Sequence, residues 1–405
     1  MRYGVGVDIS KGKSTVTIMS ETKEVIEKTF EITHDKEGLK FLEEKIEKYP
    51  KSKIKIVMEA TGVYHLPVAV YFKERGYVVV IENAYGVKKY LDRGIRKIKT
   101  DKIDSKKLAK YCIENWENLR EMIVSSKIYE DLRILSRQHS SQISIQVKQK
   151  VDFSNMCDMI FPGYYQILTR TSFVMGLEIF KEYNDPEEIK KISEEEFQRK
   201  VGEIIESMHK KRGAGKAIAH KIYVLAHKTY APQKLNSSSK IVLINSIENL
   251  INTIKTTDLI ITEMEKIARE LPEFEEIMKI KGIGANLAAR FIAEIGDIKR
   301  FENVRNIIAY AGLDAPPYQS GQYDLKSRHI SKRGNKYLRR VGYEIVKSFK
   351  QQKSEKSRVY EYMMMKEKEG KKKKVVMIAG ITKFIKIYYG TMKRIYKEEE
   401  LKEVA

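Results

Sequence analysis

The spacing of apolar and polar residues predicts a sheet in the first part of the chain. Residues 3–9 and 15–19 alternate around the turn Ser10–Lys13, which is typical of a β-hairpin. The predicted strands cover residues 3–9, 15–19, 25–32, 54–58 and 77–81. The predicted helices cover residues 35–49, 64–75 and a run that begins at Asp101. This order indicates a mixed sheet with helices on its faces, in which the first and fourth strands can be neighbours.

Two long helical stretches follow the predicted sheet. Apolar residues recur at three- and four-residue spacing in residues 116–158, with Leu132 and Val147 among the expected seam positions, and again in residues 237–271. Two such helices can pair as an antiparallel or an intersubunit coiled coil. Residues 166–235 lie between them as a helical insert with no predicted role.

These patterns divide the chain into three predicted domains. Residues 1–115 form the α/β domain, residues 116–275 form the long helices with their insert, and residues 276–405 form a mainly α-helical domain. Lysine dominates after residue 350, including the run Lys371–Lys374 before a predicted apolar helix.

Composition and charge narrow the class of protein. The 405 residues are 42% hydrophobic and 33% charged, which fits a folded, multidomain protein. Lysine and arginine give a formal net charge of +22, so a polyanionic partner is expected, and nucleic acid is favoured over a membrane surface. The apolar runs fall short of the roughly 18 residues of a membrane span, so we expect a cytoplasmic protein. Cys112 and Cys157 are expected to be buried thiols.

Four carboxylates lie at the ends of predicted strands and at the start of a predicted helix, and these elements could bring them together. Asp8 and Glu59 end the first and fourth strands, and Asp101 and Asp104 begin a helix three residues apart. Four converging acids repel one another unless cations neutralise them, and hard oxygen ligands favour Mg²⁺ or Mn²⁺ over zinc. Two ions about 4 Å apart would activate an attacking oxygen and stabilise a leaving oxygen on phosphorus. Alternatively, each acid is a turn residue, a strand exit or a helix cap.

The C-terminal part holds candidate phosphate contacts. Lys281, Gly282 and Gly284 lie in a Gly-x-Gly turn that resembles the helix-hairpin-helix motif, whose exposed backbone N–H groups suit a phosphate. The alternative is a tight turn between helices without a ligand.

A polar loop and a basic run follow this turn. Ser320 precedes Gly321 in the loop and could attack phosphorus, although most Ser-Gly pairs are turns and no His-Asp companion lies near it in sequence. Arg328, Lys332 and Arg333 could clamp the phosphate instead.

Together, these motifs resemble the DEDD transposases of the insertion-sequence family numbered one-ten. The motifs that carry the resemblance are Gly6–Ser10, Met58–Gly62, Lys99–Asp104, Gly282–Gly284, Tyr310–Leu313, Ser320–Gly321 and Ile330–Asn335. The resemblance implies an N-terminal RNase H-like (RuvC-like) domain whose four acids bind Mg²⁺, a coiled-coil middle and a smaller C-terminal transposase domain. It also implies that Ser320 forms a transient phosphoserine link to DNA.

The resemblance also implies partners. The active site would be shared between subunits of a homo-oligomer, a dimer or a tetramer, that acts on donor and target DNA. A structured noncoding RNA from the element would guide it, and a large basic surface suits that role. Two rival functions remain open, namely a RuvC-like junction nuclease that hydrolyses DNA with water and a nucleic-acid-binding protein without catalysis.

Overall fold

The computed structural model of the chain forms two compact units. Unit 1 comprises Met1–Val124 and unit 2 comprises Ser125–Ala405. The structure describes residues 1–60, 62–82, 101–122, 126–315, 319–320, 323–324, 329–353 and 357–404.

Unit 1 is built on one five-stranded mixed sheet. Its elements are β1 (Tyr3–Ile9), β2 (Lys13–Ser20), β3 (Val25–Thr33), α1 (Lys36–Ile46), a 3₁₀ turn (Lys51–Lys53), β4 (Ile54–Glu59), α2 (Leu66–Glu74), β5 (Val78–Glu82), α3 (Asp101–Glu114) and a 3₁₀ turn (Trp116–Asn118). The strand order is β3-β2-β1-β4-β5, with β1, β2 and β3 antiparallel and β1, β4 and β5 parallel. The predicted mixed sheet is confirmed, and it is consistent with an RNase H-like domain.

Helices cover both faces of this sheet. Val5 and Val7 of β1 pack with α1 and α2 on one face. The other face carries α3, and Gly6 lets it approach closely, because a Cβ there would lie 2.2 Å from Ala109 N and 2.3 Å from Ser105 O. The hydroxyls of Ser105 and Thr17 lie 2.9 Å apart and fix α3 over β1 and β2.

Unit 2 is almost entirely helical. Its elements are α4 (Lys127–Ile160), α5 (Tyr164–Ile167), α6 (Phe173–Glu182), α7 (Pro186–Ile189), α8 (Glu194–Ser207), a 3₁₀ turn (Arg212–Gly215), α9 (Lys216–Lys228), α10 (Ser237–Ala268), α11 (Pro272–Met278), α12 (Ala285–Ile295), a 3₁₀ turn (Ile298–Arg300), α13 (Val304–Tyr310), β6 (Gln319–Ser320), β7 (Tyr323–Asp324), α14 (Lys336–Gln351), α15 (Arg358–Lys368) and α16 (Lys373–Val404).

The two long helices α4 and α10 pair antiparallel within the chain. Leu132 near the start of α4 shares a core with Met264 near the end of α10, whereas Cys157 near the end of α4 shares another core with Ile247 near the start of α10. The antiparallel pair therefore agrees with one of the two predicted arrangements. Its supercoil stays a prediction.

The structure corrects two details of α4. The helix begins at Lys127 and not near residue 116, because Trp116 and Leu119 pack against α3 in unit 1. Val147 was predicted as a seam residue, but it is 57% exposed, so that prediction was wrong. The middle of α4 instead buries the polar residues Ser136 and His139.

Two hydrophobic cores organise unit 2. The insert helices α5 to α9 pack on the end of α4 and the start of α10, and helices α11 to α16 pack on the opposite ends. The predicted boundaries at 115 and 275 stay predictions. Cys112 and Cys157 are free and buried as expected, and burial raises the pKa of Cys112 to about 12.

One described helix segment, Lys373–Glu399 of α16, is long and apolar enough to cross a membrane by length and composition. Core helices of soluble proteins pass the same test. Phe384, Ile385 and Tyr388 of this segment lie in the C-terminal core of unit 2.

Candidate active site

Asp8 and Glu59 lie side by side at the ends of two parallel strands. Val7 of β1 is in register with Met58 of β4, so the next residue of each strand is an acid. Side chains alternate between faces along a strand, and Gly6 and Val57 both lie against α3. Asp8 and Glu59 therefore belong to the face that α3 covers, and both are half-buried. The predicted neighbourhood of strands one and four is confirmed.

The first turn of α3 lies at the same end of this face. Gly4 of β1 lies against Cys112 and Gly6 lies against Ser105, so α3 runs antiparallel to β1. Asp101 and Asp104 come before Ser105 in the helix, so they lie at the end of the helix nearer to Asp8. Asp101 is exposed, and Asp104 lies 3.8 Å from Lys107 Nζ with its side chain 20% exposed.

The backbone thus brings four acids to one end of one face. Among the described residues, no group of three or more His, Cys, Asp or Glu side chains is close enough to hold a metal ion. The donor set consists of carboxylates, which are the hard oxygen ligands that Mg²⁺ and Mn²⁺ prefer. The residues present therefore fit such an ion in chemistry and backbone position, and their side chains would have to converge on it.

Glu82 is a further acid of this edge that the sequence reasoning missed. It is in register with Glu59, and its backbone carbonyl accepts a hydrogen bond of 3.0 Å from Ala60 N. Burial, followed by the charge of Glu82, raises the pKa of Tyr111 on α3. The signal was present in the sequence, since Glu82 follows a predicted strand directly, as Glu59 does.

Ser320 lies in unit 2, in a segment whose two ends are held together. Ser331 N donates to Asp314 O at 2.7 Å, and Lys332 N donates to Gly312 O at 3.0 Å. The Ser331 hydroxyl also donates to Asp314 Oδ1 at 2.5 Å. Between these ends, Ser320 pairs with Tyr323 in the two-residue strands β6 and β7. We name the paired segments 312–314 and 331–332 the serine-loop stem.

One basic residue ends the stem and a second follows it. Lys332 and Arg333 are exposed, and Lys332 adopts a positive φ of 55°. A Cβ on Gly334 would lie 2.1 Å from Tyr310 O, so only glycine fits where these two segments of the chain approach each other. Asn335 then caps α14 by accepting from Tyr337 N at 2.9 Å. The predicted phosphate contact Arg328 lies outside the described residues.

The Gly-x-Gly turn joins two helices, α11 and α12. Gly282 has a φ of 106°, and its carbonyl accepts a hydrogen bond of 2.8 Å from the Ser348 hydroxyl. Gly284 begins α12 without a side-chain cap, and Lys281 is exposed. The structure thus shows two helices joined by a glycine turn, and both the helix-hairpin-helix motif and its contact with nucleic acid stay predictions.

Comparison with known proteins gives matches along both units. Residues 5–162 match the family model of DEDD transposases of IS110, described as "Transposase". Residues 274–361 match the family model described as "Transposase IS116/IS110/IS902 family". The chain belongs to the IS110 family of transposases.

The matched ranges contain the candidate residues of this IS110-family protein. The first range holds the four acids, and the second holds the Gly-x-Gly turn, Ser320 and the basic run. The protein named "Putative transposase y4rJ", from Sinorhizobium fredii (strain NBRC 101917 / NGR234), is 41% identical over 70 residues, which is 17% of this chain and 17% of that protein. The alignment thus spans about a sixth of that curated relative.

Proposed function

We propose that this IS110-family protein is a DNA transposase that cuts and rejoins DNA to mobilise its insertion sequence. The observation that carries the proposal is the pairing of Asp8 and Glu59 on adjacent parallel strands, under the helix that begins with Asp101 and Asp104. A site of this kind suits phosphoryl transfer, because DNA phosphates and carboxylates share affinity for hard divalent cations.

The four acids would hold Mg²⁺ or Mn²⁺ in this proposal. When bound, the ion supplies positive charge that stabilises the oxygens on the reacting phosphorus. The protein fold places the carboxylates that would bind the ion. Gly6 allows α3 to lie close to the sheet, and the Ser105–Thr17 contact fixes the register of the helix, so both pairs of acids are held at one end.

Ser320 would be the nucleophile. Its hydroxyl oxygen loses its proton and forms a bond to the DNA phosphorus while the bond from phosphorus to the leaving DNA oxygen breaks, and the leaving oxygen takes up a proton. The resulting phosphoserine link is later attacked by a DNA hydroxyl, which restores the serine. Exposed Lys332 and Arg333 beside the serine-loop stem would bind the phosphate, since charge-assisted hydrogen bonds to phosphate are strong.

The proposed partners are donor and target DNA and a structured guide RNA encoded by the element. The formal net charge of +22 supports contact with such polyanions. The acids lie in unit 1 and Ser320 lies in unit 2. We propose that two subunits of a homo-oligomer, a dimer or a tetramer, share one active site in the cytoplasm, one giving acids and the other giving serine.

Substitution of the acids tests the metal site. We expect Asp8→Asn and Glu59→Gln to lower the rate of cleavage by more than the roughly 10- to 100-fold that loss of an outer-shell partner costs a metal site. The rate is measured with labelled DNA carrying the ends of the element, in Mg²⁺.

Glu44→Gln is the matched control, because Glu44 is an exposed acid on α1 that forms a surface ion pair with Lys40. It should cleave at the wild-type rate. Cleavage that survives Asp8→Asn and Glu59→Gln would refute the metal site and favour a role in binding alone.

A further inference from the structure

A large cavity in unit 2 has none of the candidate catalytic residues in its lining. It has a volume of about 670 Å³ and is lined by α4, α10, the segment 165–174, α12 and α14. Sites for small organic ligands usually measure about 300–1,000 Å³. The cavity therefore has room for a ligand the size of a nucleotide.

The wall of the cavity contains a built ion network. Arg290 of α12 is 8% exposed and donates to Glu344 Oε2 at 2.6 Å. Arg340 Nε donates to the other oxygen of Glu344 at 3.2 Å. Burial raises the pKa of Glu344, but the hydrogen bonds and charges of Arg290 and Arg340 outweigh it and hold the pKa below its ordinary value. The network is thus ionised and rigidly paired.

His139 is a buried polar side chain in the wall of the cavity. It lines the cavity and is only 4% exposed. Its Nδ1 atom is buried and has no hydrogen-bond partner within the described part of the chain. Buried polar atoms are nearly always paired in folded proteins, so this unpaired nitrogen is an exception within the wall of the cavity.

The remaining lining residues combine cations with aromatic rings. Lys150, Arg170, Arg290 and Arg340 face two carboxylates, those of Asp258 and Glu344, which leaves an excess of positive charge. Tyr165 and Phe173 pack edge to face with ring centroids 6.0 Å apart, and Lys150 Nζ lies 4.8 Å from the centre of the Phe173 ring. Aromatic faces beside cations are how proteins hold single-stranded nucleic acid, by stacking a base and binding its phosphate.

We propose that this cavity binds one unpaired nucleotide of a single-stranded nucleic acid. The base stacks on Tyr165 or Phe173, and Lys150 and Arg170 bind the phosphate. The choice of nucleic acid as the ligand rests on the proposed function, whereas the cavity with its aromatic rings and cations does not depend on it.

Binding of labelled oligonucleotides tests this site. Fluorescence anisotropy with full-length protein uses two probes, oligouridylate RNA and oligothymidylate DNA, and the tighter probe identifies the source of the nucleotide. We expect Tyr165→Leu to weaken binding of the tighter probe at least about fivefold, the lower end of the loss of one base–aromatic stack. The double variant Lys150→Gln with Arg170→Gln should weaken it further.

The matched control removes the same charge elsewhere. Lys148 on α4 and Lys191 in the insert are exposed, so Lys148→Gln with Lys191→Gln lowers net charge by the same amount without changing the cavity. Equal weakening by the control and cavity double variants would overturn the proposal, as would wild-type protein that binds neither probe.

Photocrosslinking tests the site without substitution. RNA with 4-thiouridine and DNA with 4-thiothymidine are crosslinked to wild-type protein, and the modified peptides are identified by mass spectrometry. Crosslinks at Tyr165 or Phe173 support the cavity, and crosslinks confined to other surfaces overturn it. Wild-type protein that shows crosslinks in the cavity but does not cleave DNA would reject the proposed catalysis alone. The two failures are therefore distinguishable.

Discussion

Single residues show where sequence reasoning succeeded. Asp8 and Glu59 could be predicted as neighbours because each ends a strand with clear alternation, and the structure confirms their strands as parallel partners. Glu82 could have been predicted in the same way, since it follows the strand predicted over residues 77–81 as directly as Glu59 follows the strand predicted over residues 54–58. His139 could not be found, because its surroundings come from Arg290 and other residues more than a hundred positions away.

The buried His139 predicts a pH-dependent stability. Burial, and then the charge of Arg290, lowers its pKa from 6.5 to about 4, and Glu344 opposes this while Arg340 adds to it. The folded pKa lies below the unfolded one, so the unfolded state binds more protons in this window and stability falls as pH falls. We expect this group to remove about 2 kcal/mol from the free energy of unfolding between about pH 7 and about pH 5.

Chemical denaturation across this pH range measures the effect. His139→Gln should lose most of this pH dependence, because glutamine does not titrate. His220→Gln is the control, since the His220 side chain is 58% exposed. Identical pH profiles for His139→Gln and the wild type would contradict the expectation.

Helix α4 shows what apolar periodicity can and cannot predict at the scale of elements. Its pairing with α10 follows from the apolar positions near the ends of both helices, whereas its predicted start near residue 116 was wrong. Its polar middle does not follow, because Ser136 Oγ donates to the buried Glu294 of α12, a partner that lies 158 positions away. Hydrogen bonds of this kind leave no periodic signal in the sequence. The predicted seam position Val147 was also wrong, because its side chain is exposed.

Glu294 connects three elements and should be important for stability. It is 1% exposed, and its carboxylate accepts from Ser136 at 2.7 Å, Arg137 at 2.9 Å and Asn335 at 2.8 Å. Glu294→Gln removes the charge and leaves the Arg137 contact uncompensated. Loss of one partner from a buried pair typically costs about 3–5 kcal/mol, and the partly exposed Arg137 places our expectation near 3 kcal/mol.

Thermal and urea unfolding check this cost. The exposed Glu270 of unit 2 offers the matched control, because Glu270→Gln should change the free energy of unfolding by less than about 0.5 kcal/mol. An equally small effect of Glu294→Gln would show that the network does not hold α4, α12 and the cap of α14 together.

At the scale of the whole molecule, the proposed metal ligands and the proposed nucleophile lie in different units. The strand and helix order of unit 1 could be predicted because its sheet forms from patterns that are local in sequence. The architecture of unit 2 could not, because its insert and C-terminal helices pack on opposite ends of one helix pair through contacts between distant segments. The acids belong to unit 1 and Ser320 belongs to unit 2, so the function that we propose requires both units.

Trapping of the covalent DNA adduct tests this account most directly. Wild-type protein is incubated with radiolabelled DNA carrying the element ends in Mg²⁺, denatured and analysed for label that migrates with the protein. Ser238→Ala is the control, since Ser238 is an exposed serine of the same unit. We predict an adduct for the wild type and Ser238→Ala and none for Ser320→Ala. The absence of an adduct in the wild type, or an adduct that survives Ser320→Ala, would contradict the serine mechanism.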